Sequence, residues 1–186
     1  MLRPPKTATK RVRYSQSVAL RLRPYRVEDE SAALAAHESM LSEDFHFLPF
    51  WEPDTNWTEF VRANLDLRHG VGAREFQVPG IQLAATVDGE LVGRTSLRFT
   101  LNDFFATKGG HVGYGVLPAY RRRGYASEIL RQALVVVRAE GVDRVLVTCS
   151  ENNLASATVI EHNGGVLESI LASEDGGPGL RRYWIE

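Results

Sequence analysis

Apolar residues recur along this chain with two different periods, which separate predicted strands from predicted helices. Runs that alternate or are rich in β-branched residues predict strands at 18–23, 81–87, 91–100, 111–116, 145–149, 166–171 and 181–185. Apolar residues at helical spacing predict helices at about 28–40, 57–65, 126–137 and 154–162. The resulting order, β-α-α-β-β-β-α-β-α-β-β, predicts one mixed α/β domain whose strands two to four form an antiparallel meander.

Turn and capping residues mark where these elements end. Pro24 ends the first strand, and Asp88-Gly-Glu90 is the hairpin signal between strands two and three. Asp54 or Thr55 can cap the second helix, and Gly141 lies where a glycine often follows the end of a helix. The chain shows no internal repeat and no second core.

Composition narrows the class of protein. A chain of 186 residues with 44% hydrophobic residues can close a single core. No apolar run approaches the ~20 residues of a membrane-spanning helix, so no membrane partner is expected. Cys149 is the one cysteine, which excludes an internal disulfide and a cysteine-cluster metal site, and the five histidines lack metal-ligand spacing. These features fit a reduced compartment, and we expect a cytoplasmic protein without a bound metal.

The charges are unevenly distributed. Residues 1–26 hold eight basic and no acidic residues, whereas the rest of the chain holds 14 basic and 23 acidic residues, a net charge of −9. Residues 1–17 are therefore predicted to be a basic, flexible tail, with a transit peptide as the alternative because the segment is arginine-rich and acid-poor. The acidic body argues against a nucleic-acid partner, which needs clustered cations.

One segment combines several features of an anion-binding site. Strand 111–116 is followed by Leu117-Pro-Ala-Tyr-Arg-Arg-Arg-Gly-Tyr-Ala126, which opens into the long helix. The first N–H groups of a helix have no partner within it, and the helix dipole makes that end partly positive. Gly124 and Ala126 leave room for a ligand near the backbone, and three arginines precede them. The segment fits a phosphate or pyrophosphate site, and the alternative is a solvated basic loop with a capping glycine.

Arg121-x-x-Gly124-x-Ala126, after a strand and Pro118, resembles the acetyl-CoA motif of the GNAT superfamily of N-acetyltransferases. Further landmarks follow in the family's order, namely Arg23-Pro24, Val87-Asp-Gly-Glu-Leu-Val-Gly93, His111-Val-Gly-Tyr-Gly-Val-Leu-Pro118, Asn153-Leu-Ala-Ser156 and Gly164. The resemblance covers most of residues 18–186 and extends to the branch that acetylates ribosomal-protein N-termini and its bacterial relatives. It implies a single domain with a mostly antiparallel sheet of about seven strands, flanked by helices and splayed between strands four and five.

The resemblance also implies the reaction and most of the site. The implied activity is direct transfer of an acetyl group from acetyl-CoA to a primary amine, either a protein N-terminus or a small molecule. The Val116 N–H is implied as the donor to the thioester oxygen. The implied cofactor-binding residues are Val116, Leu117, Arg121, Arg122, Arg123, Gly124, Tyr125, Ala126, Asn153 and Ser156. Because the cofactor motifs lie elsewhere, residues 42–80 and 172–180 are expected to form the walls of the acceptor pocket. The net negative charge of the body favours a cationic acceptor. A homodimer is an open alternative to a monomer.

Three residues are candidates for catalysis. His111 lies near the position where many relatives carry a glutamate base, and a histidine pKa near ~6.5 suits proton uptake at neutral pH; its alternative role is structural. Relatives often carry a tyrosine acid where this chain has Ile160. Ser156 is therefore the best local candidate to protonate the leaving thiolate. Asn153 is a candidate contact to pantetheine or substrate amides, and helix capping is the alternative for both Asn153 and Ser156.

Two functions of other classes stay open at this point. A CoA-binding regulatory module without catalysis is consistent with the missing tyrosine. A nucleic-acid-binding protein would use residues 121–123 and the basic tail, although acidic residues follow within the same helical unit.

Overall fold

A seven-stranded sheet forms the centre of the protein, which the computed structural model describes for residues 19–186. In the order in which they lie side by side, the strands are β1 (Arg21–Pro24), β2 (Gly80–Val87), β3 (Glu90–Arg98), β4 (Val112–Val116), β5 (Val145–Ser150), β7 (Leu180–Ile185) and β6 (Val166–Leu171). The helices are α1 (Glu30–Leu41), α2 (Trp57–Leu67), α3 (Asp103–Thr107), α4 (Tyr125–Ala139) and α5 (Leu154–His162). β4 and β5 run parallel, and every other neighbouring pair is antiparallel, which confirms the predicted fold class. The predicted tail at 1–17 lies outside the described residues.

Three local expectations differ from the structure. Asn56, rather than Asp54 or Thr55, caps α2, and its side chain accepts the Glu59 N–H at 3.2 Å. Pro24 lies within β1 rather than after it, which an edge strand tolerates because one of its sides makes no ladder bonds. The five-residue helix α3 is absent from the prediction because so short an element has no measurable apolar period.

The two faces of the sheet are covered by different helices. α4 and α5 cover one face of the sheet and bury a mostly aliphatic core. α4 contributes buried apolar residues at helical spacing, namely Ile129, Leu130, Ala133, Leu134 and Val137. α1 and α2 cover the opposite face together with a cluster of large side chains that includes Tyr25, Phe47, Trp57 and Phe60. We call this second side of the sheet the aromatic face.

β4 and β5 pair over a very short length and then diverge. Their pairing register covers one residue pair, Val112 with Val147, whereas β4 aligns with β3 over five pairs and β5 aligns with β7 over six. The two strands therefore touch at the start of β4 and leave an opening towards its end at Val116. This opening, which we call the β4–β5 gap, confirms the predicted splay between strands four and five.

A buried asparagine continues the sheet where β1 stops. β1 ends opposite Leu83, so the backbone of Gln82 has no strand partner on that side. The Asn64 side chain of α2 takes the place of a strand: its Nδ2 donates to the Gln82 carbonyl at 2.9 Å, and its Oδ1 accepts the Gln82 N–H at 2.7 Å. Asn64 is 5% exposed, so water does not readily replace these bonds. The contact docks α2 on the aromatic face.

We expect Asn64→Ala to destabilise the protein by about 2–4 kcal/mol, because it leaves both buried backbone groups of Gln82 without a partner. Asn56→Ala on the same helix is the matched control, since it removes an exposed cap worth about 1 kcal/mol. Urea unfolding of the two variants measures both losses. A loss for Asn64→Ala no larger than that for Asn56→Ala would show that this contact does not dock α2.

Candidate functional site

The backbone of β4 presents a hydrogen-bond donor to the β4–β5 gap. In an antiparallel pair, successive residues direct their N–H groups alternately towards and away from the partner strand. The Arg98 N–H donates to the His111 carbonyl and the Leu117 N–H to the Val92 carbonyl, so the odd-numbered residues here face β3. Val116, an even-numbered residue at the end of β4, therefore directs its N–H into the gap. That is where the predicted donor to a thioester oxygen has to lie.

A histidine closes the narrow end of the gap. The His111 N–H donates to the Leu146 carbonyl at 2.7 Å, and the Leu146 N–H donates back to Nδ1 of the His111 ring at 2.9 Å. His111 is 8% exposed, so both bonds lie largely out of solvent. We call these two hydrogen bonds the His111–Leu146 clasp, and they hold the start of β4 against β5.

The clasp bears on the predicted role of His111 as a base. Because Nδ1 accepts a hydrogen bond, the neutral ring carries its proton on Nε2, and neither nitrogen has a free lone pair for a substrate proton. Burial and the nearby Arg98 guanidinium lower the pKa of His111 below its usual value, which keeps the ring neutral at pH 7. The base role stays a prediction, and the geometry supports the structural alternative.

The start of α4 is an open cluster of backbone donors. Gly124, the residue before the helix, has a φ of 80°, and no side chain caps the first turn. Arg122 is also in the left-handed region, with a φ of 62°. A Cβ built on Gly124 would meet no protein atom within 4 Å, so space is open at this end of the helix beside Tyr125 and Ala126. This geometry fits the predicted phosphate or pyrophosphate site.

Two of the three exposed arginine side chains of this loop hydrogen-bond to protein groups, and Arg122 stays a predicted cofactor contact. The Arg121 Nε donates to the Val116 carbonyl at 3.1 Å, and the Arg121 guanidinium pairs with Glu43 at 2.6 Å. The Arg123 guanidinium donates to the Ala119 carbonyl at 3.1 Å. The Arg121 side chain thus supports the end of β4, and the backbone N–H groups make the stronger case for the phosphate site.

Leu117 does not fit its predicted place among the cofactor-binding residues. Its N–H donates to the Val92 carbonyl, and its carbonyl accepts the Tyr120 N–H, both at 2.9 Å. Its side chain packs against the cluster on the aromatic face. With both backbone groups in use and the side chain packed, the geometry does not support a cofactor contact at Leu117, and that role stays a prediction.

α5 begins on the other side of the gap, directly after β5. Asn153 is its N-cap, and its Oδ1 accepts the Ser156 N–H at 3.0 Å, as the capping alternative expects. The Ser156 hydroxyl lies 2.8 Å from the hydroxyl of Tyr114, which reaches it from β4. Tyr114 is not among the predicted site residues. Strand alternation was the available signal, because it places Tyr114 with Val112 and Val116 on the face that α5 covers.

Burial makes this tyrosine a hydrogen-bond donor at ordinary pH. It raises the pKa of Tyr114 to about 12, so the phenol keeps its proton. The thiol of Cys149 lies near Ser156, and burial raises its pKa as well. A buried, protonated thiol is a poor nucleophile. The group of Tyr114, Ser156 and Cys149 therefore offers protons rather than a covalent attachment point.

Two adjoining cavities lie on the aromatic face, between α2 and the strands β2 and β3. The larger has a volume of about 270 Å³ and is lined by residues between Phe50 and Gln82. The smaller adjoins it and reaches Ser96 and Arg98 on β3. Phe50 borders both cavities, and its φ of 64° holds a bulky residue in the left-handed region. Most of this lining belongs to the segment 42–80 that is predicted to wall the acceptor pocket.

Neither a metal cluster nor a membrane span is found in the described part of the chain. No three His, Cys, Asp or Glu side chains come close enough together there to hold a metal ion. None of the described helices is both long enough and apolar enough to cross a membrane.

Comparison with known protein families identifies the family of this chain. A sequence profile described as an acetyltransferase (GNAT) domain matches residues 19–166, the part of the chain that contains the gap, the start of α4 and α5. The chain belongs to the GNAT acetyltransferase family. Enzymes of this GNAT family use acetyl-CoA, which carries the pyrophosphate that the loop before α4 is predicted to bind.

Solved structures of other acetyltransferases share the fold of this GNAT domain. The ribosomal L7/L12 α-N-protein acetyltransferase RimL is 21% identical, with 90% of each chain covered and a TM-score of 0.57. RimJ from Mycobacterium smegmatis, in complex with CoA-disulfide, is 23% identical, with 89% of this chain and 81% of that chain covered and a TM-score of 0.62. YncA from Salmonella typhimurium, with its cofactor acetyl-CoA, is 18% identical, with 90% and 94% covered and a TM-score of 0.60. No curated protein sequence matches this chain.

We expect Gly124→Glu to weaken CoA binding at least 100-fold, because it places bulk and negative charge where the pyrophosphate approaches the N–H groups of α4. Gly141→Glu is the matched control: Gly141 follows the other end of α4, has a φ of 87° and also has no protein atom near its added Cβ. Isothermal titration with CoA measures both affinities. Equal affinities in the two folded variants would remove this loop from the site.

We expect His111→Asn to keep kcat/KM within about tenfold of the wild type, because the Asn Oδ1 can accept the Leu146 N–H in place of Nδ1. The folded-state pKa of His111 lies below its unfolded value, so the wild type loses stability as pH falls below ~6.5 and the unfolded chain takes up the proton. In His111→Asn, the free energy of unfolding should therefore fall less steeply as pH decreases. Some pH dependence should remain, because burial also lowers the pKa of His37. Unfolding free energies from pH 5 to 8 measure the change.

His111→Ala is the comparison variant, since it breaks the clasp and should be less stable than His111→Asn. A folded His111→Asn enzyme whose activity falls 10²–10⁴-fold and whose pH–rate profile loses its acid limb would contradict the clasp role and make His111 the base.

Proposed function

We propose that this protein is an N-acetyltransferase that moves an acetyl group from acetyl-CoA directly to a primary amine. The observation that carries the proposal is the β4–β5 gap, where the Val116 N–H faces an opening bordered by the start of α4 and by the Ser156 hydroxyl on α5. Direct transfer needs an anchor for the cofactor phosphates, a donor for the thioester oxygen and a proton for the sulfur. The gap brings candidates for all three to one place.

The residues at the gap fit the acetyl donor. The N–H groups at the start of α4 hold the pyrophosphate, with the helix dipole adding to the attraction. When bound, acetyl-CoA supplies the thioester that the amine attacks and the thiolate that leaves. The Val116 N–H donates to the thioester oxygen, and such a donor stabilises the developing charge by roughly 3–4 kcal/mol.

In this proposal the proton for the sulfur comes from Ser156, and the proton that the amine nitrogen loses as the amide forms restores the serine hydroxyl. Tyr114 keeps its phenol proton. Its hydroxyl lies 2.8 Å from the Ser156 Oγ, where either group can donate, and 3.3 Å from the Ser156 carbonyl, which can only accept. The proposal assigns the phenol proton to the hydrogen bond with the Ser156 Oγ. The serine hydrogen is then free to point at the sulfur rather than at the tyrosine. Tyr114 thus acts as a positioning residue, and the pair takes over the task of the tyrosine that this chain lacks at Ile160.

The acceptor enters from the aromatic face. The two cavities at 50–82 and 96–98 lie on that face, and the side chain of Phe45 covers the bare backbone of Gly115 on β4. An alkyl amine has a pKa near ~10.4, and the clasp occupies the lone pair of His111. The proposal therefore assigns no proton uptake to His111, and the amine reacts in its unprotonated form. A protein N-terminus and a small amine are both acceptors of this kind.

A CoA-binding module without catalysis is the second candidate. Two observations favour it: the side chain at the family's acid position, Ile160, is fully buried and apolar, and His111 has its lone pair engaged. A nucleic-acid-binding function is disfavoured, because Arg121 pairs with Glu43 and Arg123 with a carbonyl of its own loop.

Amine-dependent release of the CoA thiol distinguishes the two candidates. The wild-type protein is mixed with acetyl-CoA and either a peptide with a free α-amino group or a small primary amine, and released thiol is followed with a chromogenic disulfide. The Nα-acetylated peptide is the matched control. Release with the free amines alone supports acetyl transfer, whereas binding of acetyl-CoA with no amine-dependent release would establish the regulatory module.

We expect Ser156→Ala to lower kcat about 100-fold with little change in the KM for acetyl-CoA, because the hydroxyl acts on the departing thiolate. Tyr114→Phe should lower kcat less, and the double variant should be no slower than Ser156→Ala, since the tyrosine acts through the serine. Thr158→Ala, which removes a hydroxyl bonded within the same helix, is the control. A Ser156→Ala enzyme as fast as the wild type would return Ser156 to a structural role.

A further inference from the structure

Arg98 is a half-buried cation without a counter-charge. Its guanidinium lies over the Phe105 ring at 4.1 Å and donates to the Gly110 carbonyl at 3.1 Å. Within residues 19–186 it forms no salt bridge, and its other N–H groups have no hydrogen-bond partner. Burial lowers the pKa of Arg98 to about 10, which still leaves it charged at neutral pH. Arg98 is only partly exposed, so solvent screens its charge incompletely, and a bound anion would supply the counter-charge that it lacks.

The groups that surround Arg98 are positive or neutral. Arg94 lies on the same face of β3, is 6% exposed and also lacks a carboxylate partner among the described salt bridges. His111, held by the clasp, is neutral. Glu59, the carboxylate that lines the larger cavity, is exposed on α2. The local electrostatic potential at Arg98 is therefore positive. It disfavours a cationic group at this position, although the net negative charge of the body as a whole favours a cationic acceptor.

Arg98 also lies within reach of both the cavity and β4. It lines the smaller cavity, which shares Phe50, Leu67, Gln77 and Gln82 with the larger one. The smaller cavity has a volume of only about 20 Å³, so the bulk of a ligand has to stay in the larger cavity and a small charged group alone can reach towards Arg98. Across the β3–β4 pair, Gly113 is the diagonal neighbour of Arg98, and such positions lie ~7–8 Å apart. Arg98 lies opposite His111 at the closed end of the gap, five residues from Val116, so a molecule whose anion is held at Arg98 has to extend along β4 past Gly113.

We propose that Arg98 binds a carboxylate of the acceptor, so that the substrate class is amines that also carry a carboxylate. This inference rests on the proposed acetyl transfer and names its acceptor more closely. A guanidinium offers parallel N–H donors that match the two oxygens of a carboxylate. The aromatic and aliphatic side chains of the larger cavity receive the apolar part of the molecule.

Binding of a matched pair of probes tests the site without any acetyl transfer. 3-Phenylpropionate and its neutral amide, 3-phenylpropionamide, are titrated into the full-length protein and followed by NMR. The acid should bind at least tenfold more tightly than the amide. Equal affinities, or no binding of either probe, would overturn the proposal.

Variants then assign the preference to one side chain. Arg98→Met should remove the preference for the acid and leave amide binding unchanged, and Arg98→Lys should keep part of it. Arg62→Met, at an 85% exposed side chain on α2, is the matched control and should behave as the wild type. A preference that persists in folded Arg98→Met, or that is lost in Arg74→Met at the cavity edge instead, would overturn the assignment. If Arg98→Met does not fold, the ratio of acid to amide affinity in Arg98→Lys is compared with the same ratio in the wild type. An unchanged ratio would overturn the assignment.

Turnover separates this inference from the proposed function. Phenylalanine should be acetylated with a kcat/KM at least tenfold above that of phenylalaninamide. Thiol release with the amide at an equal or higher rate would keep acetyl transfer and overturn the carboxylate site. Absence of thiol release with every amine, together with tight binding of 3-phenylpropionate, would overturn acetyl transfer and keep Arg98 as an anion site.

Discussion

Two hydrogen bonds between His111 and Leu146 determine where the site can form. They hold the start of β4 against β5, and beyond them each strand follows a different partner, β3 on one side and β7 on the other. Full pairing of β4 with β5 would consume the Val116 N–H in a ladder bond. Each hydrogen bond contributes only about 1 kcal/mol to stability, so the clasp matters through its position. It fixes the point from which the gap opens.

The parts of the fold that depend on local sequence were predictable. The α4 stripe is buried at the expected positions because helical period is a property of neighbouring residues. Gly124 and Gly141 adopt the left-handed backbone that glycine favours at the two ends of the same helix. The cap of α2 was missed because Asp54, Thr55 and Asn56 are all good caps, and tertiary contacts choose among them.

The sequence allowed residues of the candidate site to be proposed, whereas it gave little information about the contacts that they make. Tyr114 and Ser156 are 42 positions apart, His111 and Leu146 are 35 apart, and Arg121 and Glu43 are 78 apart. Residue type alone makes His111 a plausible base, whereas its hydrogen bond from Leu146 leaves it without a free lone pair. The chemical role of each side chain at this site depends on hydrogen bonds between residues that are far apart in the sequence and meet only in the folded protein.

The orientation of the Val116 N–H is the central claim, and amide NMR tests it most directly. ¹⁵N-labelled protein is titrated in parallel with CoA and with acetyl-CoA, which differ in the thioester oxygen. The amides at the start of α4 should shift with both ligands, because both carry the pyrophosphate. The Val116 amide should shift further with acetyl-CoA than with CoA, as expected for a hydrogen bond to the thioester oxygen. A Val116 amide that responds equally to both ligands, or to neither, while the α4 amides shift would contradict the account.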